Sequence, residues 1–491
     1  MSESTSRARK PSVLIVGAGF GGIGAAIELT RSGYHDVTIL EKASDLGGVW
    51  RENTYPGAAC DVPSPLYSYS FEPNPHWSSR YSPQPEILAY MKRTATKYGI
   101  DELIQFDTAV SSASFDEATG RWQVETNRGV LEADVFVPAV GLLSRPIWPD
   151  IPGQDSFTGQ AFHSATWDHD VDLTGKSVAV IGTGASAIQF VPVIQPTVGA
   201  LTIFQRSAPW VMPQPQRTYT KAHHALFEKV PAAQALERRV LWTGLEQLQK
   251  AMTVESKVLV PALSAAAKLR LRRSVKDPVL RAKLTPDYPA GCKRVLFSNK
   301  YIPAVSQDNV SIVTEDITEI TPSGVRTADG VEHPVDVIVY GTGFAATEFL
   351  APMSIKGVGG QDLHEVWAEG GRAYYGLAVP GFPNMFVMYG PNTNLGSGSI
   401  ISMLEPQAAY VRQAVQLLDK SGPSYVAVKP AVEERFDSET QARIGDSVWT
   451  QCTSWYRNAA GRVTTNWPGT VTEYQRRTKR LDPADYELTR I

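Results

Sequence analysis

Cysteine is scarce. The 491 residues contain three, Cys60, Cys292 and Cys452, far apart and unable all to pair, so no disulfide framework is implied. No C-x-x-C or C-x4-C pair occurs, which argues against a flavin disulfide reductase, whose chemistry needs two closely spaced thiols. No apolar run reaches the roughly 18 residues of a membrane-spanning helix. The opening MSESTSRARK leads into a strand without the apolar core of a secretory signal, so a cytoplasmic location is expected. A net charge of -3 gives no support to nucleic-acid binding. There is no P-loop and no low-complexity tract. No His/Cys/carboxylate cluster has metal-ligand spacing, so no metal is expected.

What is present fits a globular enzyme. Hydrophobic residues make up 43% and charged residues 20%. The length exceeds one core, so two or three domains are expected.

The segment Ser12–Val16 (SVLIV) is a short apolar, β-branched run, the mark of a buried parallel strand. It runs into Gly17-Ala18-Gly19-Phe20-Gly21-Gly22 and a helical stretch. Gly17 permits the tight turn, Gly19 lets backbone approach a pyrophosphate, and Gly22 lets helix and strand pack closely. The helix start offers amides and positive dipole to phosphate. A second strand, Asp36–Leu40, ends at Glu41, nineteen positions after Gly22, where a carboxylate should accept hydrogen bonds from a ribose.

A second unit repeats the pattern. Ser177–Ile181 (SVAVI) leads into Gly182-Thr183-Gly184-Ala185-Ser186-Ala187, with Ala tolerated at the helix-packing position. Nineteen positions past Ala187 stands Arg206, followed by Ser207. A guanidinium there removes the acceptor for a ribose 2′-hydroxyl and creates a fork suited to a 2′-phosphate. The first unit should therefore hold FAD and the second NADPH, with electrons passing from nicotinamide to flavin.

The expected fold is α/β: two dinucleotide-binding, Rossmann-like domains, for FAD and NADP, with a helical insertion in the NADP domain. Residues 1–145 form the first part of the FAD domain and 146–170 a linker. Residues 171–219 begin the NADP domain, 220–287 are the helical insertion, 288–340 complete the NADP domain, and 341–491 return to the FAD domain. A β-meander is expected across Thr108–Asp134. The two strands ending at Gly141 and Gly341 are the expected crossings between domains.

Two further motifs carry a family resemblance. Phe157–Asp168 reads F-x-G-x-x-x-H-x-x-x-W-D, with Phe157, Gly159, His163, Trp167 and Asp168 as its fixed points. Gly47–Asp61 reads G-G-x-W, then Y-P-G, then Asp. Together they resemble the signatures of type I Baeyer–Villiger monooxygenases, and the resemblance covers nearly the whole chain. It implies an FAD- and NADPH-dependent enzyme that uses O2 to convert a ketone to an ester or lactone through a flavin C4a-peroxide. It makes Arg294 the active-site arginine and Asp61 the carboxylate that positions it. Val49, Trp50, Tyr67 and the backbone at Val110 become flavin contacts, and Lys293 joins Arg206 at the 2′-phosphate. The insertion walls a substrate cavity, and Pro391–Gln407 begins a helix whose start faces the flavin. His163, alone, reads as structural or hinge-related. The C-terminal aromatics Trp455, Tyr456 and Trp467 either line the pocket or simply pack. Two other functions stay open: a flavin-containing N/S-monooxygenase, in whose motif another aromatic replaces Trp167 and the Asp is missing, and a non-oxygenating NADPH–flavin carrier. The substrate would be an uncharged ketone, since an apolar, water-poor cavity suits this chemistry. Neither its size nor an oligomeric state is legible.

Overall fold

The structure is a computed structural model and describes residues 9–254, 256, 258–422 and 424–491. Two parallel sheets organise it. The first has the spatial order Ile104–Gln105, Val37–Leu40, Val13–Val16, Val135–Pro138. The second runs Val310–Val313, Ala200–Phe204, Ser177–Ile181, Val337–Tyr340, Gln160–His163.

The central strands Val13–Val16, Val135–Pro138 and Val337–Tyr340 are apolar throughout because both faces of each sheet are covered, as parallel sheets require. In the first sheet, Val13, Ile15, Val37, Ile39, Val135 and Val137 pack with the helices Phe20–Arg31 and Ile401–Ser421. Their neighbours Leu14, Val16, Leu40 and Phe136 point the other way, onto Phe115, Trp122 and Val124. Those three belong to an antiparallel meander, Val110–Asp116, Arg121–Thr126 and Gly129–Ala133, which Ser354–Lys356 extends. The meander expected from alternation is therefore a lid on the sheet. Trp122 is fully buried within it and donates its indole N–H to Pro383 O at 2.8 Å. The second sheet follows the same logic. Val178, Val180, Ile203 and Val339 face the helix Ala187–Ile194, while Ala179, Ile181, Phe204 and Ile338 face Ile320 and Val325 of a three-stranded antiparallel sheet.

The segment read as a linker, 146–170, is partly built into the second sheet. Gln160–His163 pairs in parallel with Val337–Tyr340 as an edge strand. The motif's aromatic anchors grip opposite faces of that sheet. Phe157 packs against the Ile320 face, and Trp167 sits between Phe162 and Phe190 on the other. Gly159 is required there, because a Cβ would stand 2.3 Å from Asp336 O.

The two crossings run side by side. Ile147 N donates to Gly343 O at 2.9 Å and Ala345 N to Arg145 O at 3.0 Å. His163, fully buried, packs between Trp148 and Phe344 where they pass. Its Nδ1 accepts from Ala165 N at 3.0 Å, and burial lowers its pKa, opposed by the backbone at Gly343. A neutral imidazole wedged in the crossing is a structural part.

The insertion is helical, as expected: Lys221–Lys229, Pro231–Thr253, Leu259–Ser274 and Pro278–Lys283. Cysteine pairing departs from the sequence reading. Cys292 and Cys452 are joined by a disulfide, with Cα atoms 6.1 Å apart across 160 positions of sequence, and only Cys60 is free. Sequence separation set that expectation, and the fold overrides it by laying the C-terminal segment on the loop that leaves the insertion.

Candidate active site

The first glycine turn is a cradle that side chains would fill. Gly17 has φ +106°, and a Cβ on it would meet Ala139 O at 2.7 Å. A Cβ on Gly22 would stand 1.9 Å from Gly17 O, so this position admits no side chain where the helix leaves the strand. Gly47 N donates to Ala18 O at 3.0 Å, and the backbone of Gly48 lies directly over Gly19. The second signature is thus stacked on the first turn, with Val49 and Trp50 beginning the next short helix. Trp50 Nε1 donates to Tyr67 Oη at 3.0 Å. Glu41 is buried, its carboxylate accepting Ala18 N at 2.9 Å and Ala43 N at 3.1 Å. A carboxylate has about four lone-pair positions, so acceptor capacity is left for a ribose. Val110 begins the meander, two residues after Thr108, whose N–H bonds Glu41 O at 2.9 Å.

The second turn repeats the device. Gly182 has φ +110°, and a Cβ would meet Gly341 O at 2.4 Å, so in both units the crossing strand's exit passes over the first glycine. Gly184 is exposed with open space where a Cβ would be, and Ser186 and Ala187 open the helix behind it. Thr183 Oγ1 donates to Ser207 O at 3.3 Å, and Lys293 Nζ donates to Ser207 Oγ at 2.8 Å. Burial lowers the Lys293 pKa, and the nearby Arg206 charge lowers it further. Two cations crowded at one exposed turn, with Arg206 facing solvent, fit a dianionic group. Both cradles therefore suit dinucleotides, and the second suits one with an added phosphate. Asp168 stands apart from this cluster as an exposed turn residue that accepts Asp170 N at 3.0 Å.

Between the units lies the charge pair that the sequence suggested. Arg294 Nε donates to Asp61 Oδ2 at 3.0 Å, and Arg294 Nη2 reaches Oδ1 at 2.9 Å and Oδ2 at 2.8 Å. This fork-to-fork geometry fixes the guanidinium plane. The Asp61 charge raises the Arg294 pKa, against the effect of burial, so Arg294 is cationic at every working pH. Asp61 itself is anchored across the unit boundary. Two residues before it, Ala59 N and O bond the side-chain amide of Gln189, at 3.2 and 3.0 Å, on the second unit's helix. Tyr55 Oη shares that amide at 2.9 Å, and Gly57 leaves no room for a Cβ beside Gln189 O.

Several residues that join the insertion to the C-terminal segment carried no motif. Gln249, fully buried on the insertion, receives Ser397 N at 2.9 Å and donates to Gly469 O at 3.1 Å. It ties the insertion to the glycine-rich turn before the helix Ile401–Ser421. Met252 packs against both Gly291 and Gly396, beside Trp449. A buried polar residue on an otherwise apolar helical stripe was the one available signal for Gln249. Of the C-terminal aromatics, Tyr456 and Trp467 are buried while Trp455 is largely exposed.

Comparison with known proteins identifies the family. Residues 14–220 match the family model described as pyridine nucleotide-disulphide oxidoreductase, the stretch that holds both glycine turns. The chain is 45% identical to a Baeyer–Villiger monooxygenase of Streptomyces coelicolor, over 97% of this chain and 92% of that one. It is 41% identical to one of Pseudomonas aeruginosa, over 98% and 92%. Among solved structures, an oxidized steroid monooxygenase bound to NADP superposes with a TM-score of 0.88 at 33% identity, covering 98% of this chain and all of that one. OTEMO in complex with FAD and NADP gives 0.86 at 29% identity with the same coverage. The chain belongs to the Baeyer–Villiger monooxygenase family and is an FAD-containing, NADPH-dependent flavin monooxygenase.

Proposed function

We propose that this enzyme oxidises an uncharged ketone to an ester or lactone at a centre formed by Arg294 and Asp61, with FAD in the Gly17–Gly22 cradle and NADPH in the Gly182–Ala187 cradle. The Arg294–Asp61 pair is the observation that carries the reading, because it sets a fixed cation where the two units meet. When bound, FAD supplies the two-electron chemistry of O2 and NADPH the hydride that drives it. One oxygen atom enters the ketone and the other leaves as water.

The remaining steps belong to the chain. Glu41 orients the first ribose, and Arg206 with Lys293 and Ser207 selects the 2′-phosphate of the second. Arg294 faces an oxygen that gains negative charge as the carbonyl carbon becomes four-coordinate. Stabilisation by a preorganised donor is worth most in a site closed to water. Asp61 holds the guanidinium through two of its nitrogens and leaves Nη1 free of that pairing. Met252 and Trp449 pack the insertion and the C-terminal segment with Cys292, two residues before Arg294, and such apolar surroundings favour an uncharged substrate.

The test is Arg294→Ala, assayed in two stages. Anaerobic NADPH should still reduce the bound flavin, while ester or lactone formation in air is lost and hydrogen peroxide appears instead. Ester formation at the parent rate overturns the role. Sulfoxides from sulfide substrates, with no product from any ketone, would favour a heteroatom oxidiser.

A further inference from the structure

Within electrostatic range of Arg294 lies a run of largely buried polar side chains whose hydrogen bonds all point one way. Tyr389 Oη donates to Asn394 Oδ1 at 2.7 Å. Asn394 Nδ2 donates to Asn466 Oδ1 at 2.7 Å. The amide of Asn466 is thereby turned so that its Nδ2 protons face away from Asn394. Backbone bonds pin this part of the run: Asn394 N donates to Thr465 O, Trp467 N to Asn394 O, both at 2.8 Å, and Asn392 Nδ2 to Asn466 O at 3.1 Å. Asn466 and Tyr456 are both fully buried. Neither Asn466 Nδ2 nor Tyr456 Oη finds a partner of good geometry among the described residues. The two groups are nonetheless neighbours, and Tyr456 also lies within electrostatic range of Arg294 and Asp61.

Such an arrangement calls for an explanation. A buried hydroxyl without a partner costs about 1–3 kcal/mol, and native structures hold few of them. Asn466 Nδ2 and the Tyr456 hydroxyl are thus two donors at the end of the run with no acceptor among the described residues. Burial pushes the Tyr456 phenol up to about 12, against the pull of Arg294. It therefore keeps its proton at working pH and is available as a donor. Its ring packs against Trp449 and Trp455 at centroid distances of 6.3 and 4.4 Å. The Cys292–Cys452 disulfide ties its segment to the Arg294 loop.

We infer that the Tyr456 hydroxyl, buried without a partner at the end of the Tyr389–Asn394–Asn466 run, is a second hydrogen-bond donor to the substrate's carbonyl oxygen beside Arg294. This rests on the proposed ketone oxidation and adds to it a neutral donor. Arg294 supplies charge. Tyr456 supplies direction, and it discriminates against substrates without an oxygen acceptor at that place. No bond to Tyr456 is made or broken.

The experiment compares wild type, Tyr456→Phe and Arg294→Ala as holoenzymes, with NADPH, air and a ketone that wild type oxidises. In Tyr456→Phe, kcat/KM for the ketone should fall about 10- to 100-fold, with NADPH consumption diverted to hydrogen peroxide. Anaerobic flavin reduction should be unchanged. The thermal midpoint should hold or rise, since the substitution removes an unpaired buried hydroxyl. Unchanged kcat/KM and product yield per NADPH overturn the inference, and so does a variant that melts well below wild type or fails to fold, because the hydroxyl is then structural. If Arg294→Ala loses the ester while Tyr456→Phe keeps it, only the role of Tyr456 falls. If wild type makes no ester or lactone from any ketone, both readings fall together.

Discussion

Removing Asp61 while keeping Arg294 separates holding the cation from having it. Three hydrogen bonds join the pair, at 3.0, 2.9 and 2.8 Å. Breaking a buried pair by deleting one partner costs about 3–5 kcal/mol, because the other charge is stranded. The side chains are 27% and 22% exposed, so water offsets part of that cost and the lower end, about 3 kcal/mol, is the expectation for Asp61→Ala. The catalytic loss is a second quantity. A guanidinium released from its fork is free to rotate off the carbonyl oxygen, and loss of one fixed donor at such an oxygen costs about 10²–10³ in kcat. Asp61→Asn keeps the volume and one acceptor oxygen, so it should fall between the parent and Asp61→Ala in both stability and rate. The assay first confirms flavin content by absorbance, then measures anaerobic reduction by NADPH. Ester formed and hydrogen peroxide released per NADPH are counted last. Reduction should be preserved throughout, while ester yield should fall from the parent to Asp61→Asn and collapse in Asp61→Ala. An Asp61→Ala protein that binds FAD and forms ester at the parent rate would refute the holding role.

Two further outcomes follow from other parts of the structure. Arg206→Ala removes one of the two cations at the exposed second turn, so the Michaelis constant should rise about tenfold or more for NADPH, the scale of one lost charge-assisted bond, and hardly at all for NADH; equal responses would refute the 2′-phosphate assignment. Glu433 is a buried carboxyl on the helix Pro430–Gly445, with Oε1 unpartnered among the described residues and the Arg372 guanidinium only 3.8 Å away. Burial raises its pKa from 4.5 to about 7, against the effect of Arg372. The folded state therefore holds this proton longer than the unfolded chain, and stability falls as pH rises from about 4.5 through 7. Glu433→Gln mimics the protonated form, so it should melt above wild type at pH 8 and with it at pH 5; equal melting at pH 8 would show that the carboxyl is ionised without penalty.

Some features were legible in the sequence because they are local. A strand buried on both faces must be apolar at every position, so SVLIV and SVAVI declared themselves. The glycines of the two turns follow from the backbone: Gly22 faces Gly17 O across a gap that no Cβ fits, and that constraint lies within six residues. Glu41 and Arg206 sit at the ends of short strands a fixed distance past each turn, so their opposite charges could be read as opposite ribose chemistry. The site residues Asp61, Lys293 and Arg294 were legible only through their motifs. Nothing in composition or periodicity joins positions 61 and 294.

Only the tertiary structure decided the rest, because it depends on which distant segments are laid together. The disulfide between Cys292 and Cys452 spans 160 positions, and spacing alone implied no disulfide framework. The fingerprint reads as a linker in one dimension. In three it is an edge strand whose Phe157 and Trp167 clasp opposite faces of a sheet. Gln249 is an ordinary helix-forming residue until the turn at Ser397 is brought to it. Tyr456 could equally have been packing, since sequence does not record whether a buried hydroxyl finds a partner. The chain's own letters set the turns and the covered strands, which short-range sterics enforce, and place opposite charges at Glu41 and Arg206. Folding alone, by closing loops of hundreds of residues, set the Arg294–Asp61 pair between the two units and left the Tyr456 hydroxyl without a partner among the described residues.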